Sequence, residues 1–208
     1  MFKDRQIIDI SRKMVPEEVN NTFDVKRELL IEPIIFKMAG LDDSRMSVVT
    51  IHSHIGTHIE MPVHLFPDKM DISECPMEKF ICEVRLADVT FAGELAELTV
   101  ADIERATDGD VRAGDAVIVY SEFAPEKRPV ITLEVVDWLL DQGMGVLGFD
   151  SMAGITNDAH TKALGSDIPL LEEVVNLDQV PASRGTLIAL PMSVEGLDSF
   201  PVRALIVV

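Results

Sequence analysis

The sequence is poor in cysteine, aromatic residues and positive charge. The scarcity of cysteine and that of positive charge each exclude whole classes of protein. Its two cysteines, Cys75 and Cys82, are too few for a disulfide framework and fit a reducing, cytoplasmic compartment. Lysine and arginine number 18 against 36 acidic residues, which gives a net charge of -18. Because so acidic a surface repels nucleic acids and anionic membranes, we expect neither as a partner.

Long apolar runs are also missing. The run "ALIVV" near the end of the sequence is far shorter than the ~20 residues of a membrane-spanning helix. The opening "MFKDRQIIDI" lacks the apolar centre of a signal peptide. With 208 residues, 47% of them hydrophobic, and no repeat or linker, we predict a single domain over residues 1–208.

Two hydrophobic periods alternate along the chain and predict a mixed α/β fold with a strand-rich core. Thr99 and Thr132 are suited to cap helices, while Gly143 and Gly165 are suited to end them. Strands are predicted over 6–11, 46–52, 114–121, 144–150, 186–192 and 202–208, and helices over 100–106, 133–142 and 157–164.

Histidine is scarce, yet four of the five histidines lie between positions 52 and 64. The segment "HIGTHIEMPVH", residues 54–64, is a poor helix because it contains Gly56 and Pro62. As a strand it would place a set of acid–base groups on one face, since side chains alternate. That set is His54, His58, Glu60 and His64.

A straight strand would hold His54 and His58 about 13 Å apart at ~3.3 Å per residue, too far to share an ion. We therefore predict a bend at Gly56, because glycine adopts bulge geometry without strain. Two imidazoles and a carboxylate, here that of Glu60, are a common ligand set for a catalytic divalent metal. Beyond Pro62, His64 can lie near the ion without binding it.

The segment closely resembles the motif His-x-Gly-Thr-His-x-Asp-x-Pro-x-His of the metal-dependent cyclase family, which includes bacterial kynurenine formamidases and isatin hydrolases. All fixed positions match except Glu60, which stands where the family has aspartate. Further similar segments extend the resemblance over most of the chain: "IIDIS", "GDAVIVYS", "GFDSMAG", "PLLEEVVNL" and "LPMSVEGLDSFPVRA".

The resemblance implies the family's fold, a mixed, partly barrel-like sheet with flanking helices of the swivelling β/β/α type. It also implies a homodimer or homotetramer, and a general acid/base role for His64. The implied metal ligands are His54, His58 and Glu60 for a first ion, with His160 and Glu172 joining Glu60 around a second. Because Glu173 is adjacent, the assignment of that glutamate could be displaced by one residue.

The implied activity is hydrolysis of a carbon–nitrogen bond in a small amide or cyclic amide, similar to that of an arylformamidase. A bound Zn²⁺ can lower the pKa of its water from ~15.7 to about 7. Zn²⁺ is our first choice and Mn²⁺ the second. Either one or two ions are possible, since Glu60 is one methylene longer than aspartate.

Substrate identity stays open. Residues 11–25 lack the aromatic, Pro-Gly-Asp-rich stretch of the formamidases, and aromatics make up 5% of the chain. We therefore favour an amide or cyclic-amide hydrolase of the family over kynurenine formamidase itself. A lactone or ester hydrolase on the same site, and a metal-binding protein without turnover, remain alternatives.

Overall fold

The computed structural model describes residues 5–16, 20–22, 25–38, 41–150 and 154–208. The helices of this part of the chain are α1 (Val100–Thr107), α2 (Leu133–Asp141) and α3 (Asn157–Gly165). Its strands are β1 (Ile7–Asp9), β2 (Asn20–Thr22), β3 (Val25–Arg27), β4 (Leu29–Met38), β5 (Leu41–Ile51), β6 (His58–Glu60), β7 (Ile81–Asp88), β8 (Ala116–Tyr120), β9 (Val146–Phe149), β10 (Leu170–Glu172), β11 (Arg184–Leu190), β12 (Ser199–Pro201) and β13 (Arg203–Val207).

Nine of these strands form one mixed sheet in the order β1-β13-β11-β7-β8-β9-β10-β6-β12. The central strands β7, β8, β9 and β10 are parallel neighbours, and the remaining pairs are antiparallel. One helix precedes each of β8, β9 and β10, as parallel strands require a crossover. The sheet curls into a half-barrel, so the predicted fold class is confirmed.

Both faces of the central sheet are buried, which explains why β8 reads as a continuous apolar run. Ala116 and Ile118 pack into one hydrophobic core. Val117 and Val119 point the other way, into a second core that α1, α2 and α3 cover. The alternation of side chains along a strand therefore supplies two hydrophobic layers from one sequence segment.

The helix caps are only partly as predicted. Thr99 forms a full capping box with Asp102, whose carboxylate accepts the Thr99 backbone N–H at 2.9 Å. Thr132 occupies the N-cap of α2, but its hydroxyl donates to the Leu98 carbonyl at 2.8 Å instead of capping the helix. None of the helices in the described ranges has the length and apolar character needed to cross a bilayer.

A separate two-stranded hairpin, β4–β5, carries exposed apolar side chains on both faces. Ile31 and Val49 are paired across the strands and are 49% and 54% exposed. On the opposite face, Ile34 pairs with Met46, and they are 41% and 52% exposed. A patch of this kind usually marks a binding surface.

Candidate metal centre

The histidine-rich segment 54–64 is less regular than predicted. Only His58–Glu60 forms a strand, and residues 62–64 form a 3₁₀ turn that begins with Pro62. The expectation of a strand over the whole segment is therefore wrong, because proline has no N–H for the sheet and fits the first turn of a helix. The bend predicted at Gly56 is confirmed by its φ of +60°.

Strand β6 presents His58 and Glu60 on one face, because they are two residues apart. Its neighbour β10 places Glu172 directly opposite His58 and Leu170 directly opposite Glu60. Leu170 belongs to the core beneath the helices, so these polar groups lie on the helix-covered face of the sheet. All three are buried, with exposures of 0%, 3% and 2%.

Two further histidines approach the carboxylate of Glu60 from either side. His54, preceding the Gly56 bend, places Nδ1 3.1 Å from Glu60 Oε2. His160, on α3, places Nε2 2.9 Å from Glu60 Oε1 and 3.7 Å from Glu172 Oε1. The fold thus gathers around Glu60 the residues that the sequence predicted as ligands: His54, His58, Glu60, His160 and Glu172.

His64, predicted as the acid/base, lies beside this group. Its ring centroid is 4.6 Å from that of His54 and 6.4 Å from that of His160. Its side chain is 33% exposed, in contrast to the buried His58. The position allows contact with both the buried groups and solvent.

Asp198 was not singled out from the sequence. Its Oδ2 lies 2.9 Å from His54 Nε2 and 3.0 Å from His64 Nδ1. The contact arises because β12 pairs with β6, with Ser199 opposite Glu60. The only available signal was its place in the segment "LPMSVEGLDSFPVRA", since the pairing spans more than a hundred residues.

The two adjacent glutamates are distinguished by their contacts. Glu172 Oε2 lies 3.4 Å from His58 Nε2. Glu173 has a left-handed backbone, with a φ of 58°, and its carboxylate contacts Arg12 at 3.0 Å. Of the two, Glu172 is therefore the one placed beside the predicted ligands.

The donor set fits a divalent cation. His58 Nδ1 lies 2.8 Å from the Gly56 carbonyl, which can only accept, so the neutral ring has its lone pair at Nε2. Among the described residues, His58 Nε2 and Glu60 Oε1 are buried atoms without a hydrogen-bond partner. The contact of Glu60 Oε1 with His160 Nε2, at 2.9 Å, is an ion pair when His160 is protonated. Buried polar atoms rarely stay unsatisfied, and a metal ion would satisfy both.

Two overlapping groups of ligand atoms have the required spacing, each with all atoms within 4.8 Å of one another. The first group is His54, Glu60 and His64, and the second is His58, Glu60 and Glu172. Because Glu60 belongs to both, its carboxylate is placed to be shared between two positions.

The histidines and carboxylates of the site shift one another's pKa values. Burial opposes protonation of His54, but Asp198 and Glu60 outweigh it and raise the pKa of His54 to about 9. Glu172 and Glu60 similarly raise the pKa of His160 to about 9 against the effect of burial. Burial would raise the pKa of both glutamates, yet the neighbouring histidines hold it below the ordinary value. A cation that binds these imidazoles must displace their protons.

Comparison with known proteins identifies the family. Residues 8–154 match the profile of the family Cyclase, described as "Putative cyclase". The chain belongs to the Cyclase family. The family match ends before His160, Glu172 and Asp198; the first two residues of this Cyclase-family chain were also expected from the motif resemblance, whereas Asp198 is placed beside the motif only by the folded structure.

The relatives of this Cyclase-family chain agree with the resemblance seen in the motif, which is confirmed. The kynurenine formamidase of Erythrobacter litoralis is 31% identical over 166 residues, covering 76% of this chain and 74% of the relative. That of Sphingopyxis alaskensis is 31% identical over 163 residues, covering 74% and 76%.

Solved structures confirm the fold. Isatin hydrolase A from Labrenzia aggregata has a TM-score of 0.82 at 19% identity, covering 98% of this chain and 94% of its own. An isatin hydrolase bound to thioisatinate has a TM-score of 0.77 at 20% identity, with coverages of 98% and 92%.

Proposed function

We propose that this Cyclase-family member is a metal-dependent hydrolase that cleaves a carbon–nitrogen bond of a small amide or cyclic amide. The observation that carries the proposal is the pair of buried, unsatisfied ligand atoms, His58 Nε2 and Glu60 Oε1, among the described residues. The kynurenine formamidases among its relatives and the isatin hydrolases among its structural neighbours support the choice of an amide-type bond.

The residues proposed to hold a first ion are His54, His58 and Glu60, and those proposed for a second, shared through Glu60, are His160 and Glu172. The two groups of closely spaced ligand atoms differ from these sets: His54 is grouped with His64, and His58 with Glu172. When bound, a divalent cation acidifies a water molecule and polarises the substrate carbonyl. Nitrogen and oxygen ligands of this kind suit Zn²⁺ first and Mn²⁺ second.

His64 is proposed as the general acid and base. Its Nδ1 donates to Asp198 Oδ2 at 3.0 Å, so its lone pair in the neutral ring is at Nε2. That nitrogen would take a proton from the attacking water and return it to the leaving nitrogen. Partial exposure of His64 allows the ring to exchange protons with solvent between turnovers.

Phe66, which closely follows the histidine-rich segment, packs against the hydrophobic core beneath α3. Its ring is 3.2 Å from the position of a Cβ built at Gly165. Phe23 lies outside the described residues. The proposal therefore names the bond that is cleaved and leaves the size of the substituent to experiment.

The test combines metal analysis with a substrate panel of N-formyl amines, isatin-like rings and lactones. We expect His58→Ala to lose both bound metal and turnover. His52→Ala is the matched control, because His52 lies just before this segment and outside both ligand groups. Turnover of lactones alone would favour the ester hydrolase, and stoichiometric metal without any turnover would favour a non-catalytic metal-binding protein.

We also propose that residues 1–208 form a single domain that assembles as a homodimer or homotetramer through the hairpin β4–β5. An isolated two-stranded hairpin is at best marginally stable in water, and this one exposes Ile35 by 63% and Val49 by 54%. Burial of such side chains against a second copy would stabilise the hairpin through the hydrophobic effect. A cytoplasmic location remains a prediction, with which the two free cysteines agree.

A further inference from the structure

A single carboxylate oxygen connects two histidines with different proposed roles. Asp198 Oδ2 lies 2.9 Å from Nε2 of His54 and 3.0 Å from Nδ1 of His64. The rings are neighbours, with centroids 4.6 Å apart and planes at 54°.

The backbone of Asp198 is fixed to the same segment that carries the histidines. Its carbonyl accepts the backbone N–H of Met61 at 2.8 Å. The next residue, Ser199, pairs with Glu60 in the sheet. Backbone hydrogen bonding therefore fixes the position of the Asp198 carboxylate relative to the histidine-rich segment.

The contacts determine which nitrogen of each ring is available. A carboxylate only accepts hydrogen bonds, so both histidines donate to Asp198 Oδ2. When the ring is neutral, His54 therefore donates from Nε2 and has its lone pair at Nδ1, on the side where Glu60 Oε2 lies at 3.1 Å. His64 donates from Nδ1, which leaves Nε2 to move protons.

From this geometry we propose that Asp198 is a positioning residue that orients the metal ligand His54 and the acid/base His64 through one shared oxygen. A carboxylate behind a metal-bound histidine fixes its ring and raises its basicity as a ligand. The same oxygen, 3.0 Å from His64 Nδ1, fixes the orientation of that ring. The role of Asp198 in orienting His64 rests on the proposed function. Its role in orienting His54 concerns metal binding and does not require turnover.

The first experiment is zinc titration of the full-length protein against a competing chelator. Asp198→Asn keeps the size of the side chain and removes its charge, so we expect zinc affinity to fall by roughly 10- to 100-fold. Glu195→Gln, the same change at an exposed position of the same loop, is expected to leave it unchanged. Thermal unfolding of the metal-free variants checks that both are folded.

The second experiment is a double-mutant comparison on whichever amide the wild-type protein hydrolyses. We expect Asp198→Asn to lower kcat by about 10²- to 10⁴-fold, the usual contribution of a positioned acid/base, with little change in KM. All variants are assayed at saturating zinc, so that weaker metal binding does not affect kcat. If Asp198 acts through His64, adding Asp198→Asn to His64→Asn lowers kcat no further.

The outcomes separate this inference from the proposed function. Unchanged zinc affinity in Asp198→Asn overturns the role in orienting His54, even if the wild-type protein hydrolyses nothing. Fully additive losses of kcat at saturating zinc overturn the role in orienting His64. A loss of zinc affinity in His64→Asn as large as in His58→Ala would make His64 a ligand and also overturn that second role. If no amide is hydrolysed, the proposed function fails while the zinc titration still decides the first role.

Discussion

At the scale of single residues, the site depends on a glutamate where the family motif has an aspartate. Glu60 reaches His54 with one carboxylate oxygen and His160 with the other, at 3.1 and 2.9 Å. The extra methylene extends the carboxylate from β6 toward α3. The residues on both sides are therefore arranged around the longer side chain.

Shortening this side chain should weaken the site. Glu60→Asp would withdraw the carboxylate by about 1 Å, whereas metal–oxygen distances tolerate only ~0.2 Å. We expect zinc affinity to fall by at least about tenfold, measured by chelator competition. Glu78→Asp, an exposed glutamate outside the ligand groups, provides the control. Equal or tighter zinc binding by Glu60→Asp would show that the site is not built for glutamate.

The histidines also predict how pH acts on the metal-free protein. His54 and His160 have pKa values of about 9, above the ordinary 6.5. A group whose pKa is raised by folding stabilises the folded state fully below pH 6.5, and that contribution is lost as pH rises through 9. We therefore expect the Tm of the chelator-treated protein to fall as pH rises from 6.5 to 9.

Bound zinc should reverse this trend, because fewer protons then compete for the imidazoles as pH rises. Zinc affinity should accordingly increase over the same pH interval, with protons released on binding. The measurement is a pair of Tm profiles, with zinc and with chelator, in matched buffers. Parallel profiles would contradict the assignment of both histidines as ligands.

At the scale of elements, sequence pattern predicted the helices well and the short strands poorly. Helices α1, α2 and α3 were located within one residue at either end because their apolar spacing and terminal residues are local signals. The three-residue strands β10 and β12 were missed, since so short a strand has no readable period. They form because β6 pairs with them from more than a hundred residues away.

The difference between local signals and long-range pairing also explains which site residues could be predicted. His54, His58 and Glu60 were found from spacing alone, and His160 and Glu172 only from resemblance to a family. Asp198 was missed because its contacts depend on the register between β12 and β6. Local sequence can indicate which side chains are capable of binding metal, but long-range pairing decides which ones meet.

The Gly56 bend is an element-scale feature that can be tested. Gly56 has a φ of +60°, and an added Cβ would lie 2.9 Å from Met14 Cγ. Alanine in this conformation costs about 1 kcal/mol or more, so Gly56→Ala should be less stable and bind zinc more weakly. Gly109→Ala is the matched control, with a φ of +66° and no atom within 4 Å of its added Cβ.

We expect both alanine variants to lose stability in urea unfolding and only Gly56→Ala to lose zinc affinity. The difference arises because Gly56 lies between His54 and His58 and its carbonyl holds the His58 ring. Equal zinc affinities in the two variants would mean that the bend does not position the ligands.

At the scale of the whole molecule, the hairpin β4–β5 exposes apolar side chains that a single chain does not bury. Ile31 and Val49 face the same side of the hairpin and are about half exposed. A charge at this pair should oppose burial against a second copy. We expect Ile31→Lys to lower the molar mass in solution to that of one chain, as measured by light scattering after size exclusion.

Leu95→Lys is the control for this change, because Leu95 is 62% exposed but lies outside the hairpin. It should leave the molar mass unchanged. If Ile31→Lys assembles as the wild-type chain does, or if the wild-type chain is a monomer, assembly through the hairpin is contradicted.

The most direct measurement of the central claim is anomalous X-ray scattering at the zinc absorption edge from a crystal grown with zinc. We expect a strong peak within bonding distance of His58 Nε2 and Glu60 Oε1, two buried atoms that have no hydrogen-bond partner in the described part of the chain. No peak there, or a peak only at surface carboxylates, would contradict a buried catalytic metal in this protein.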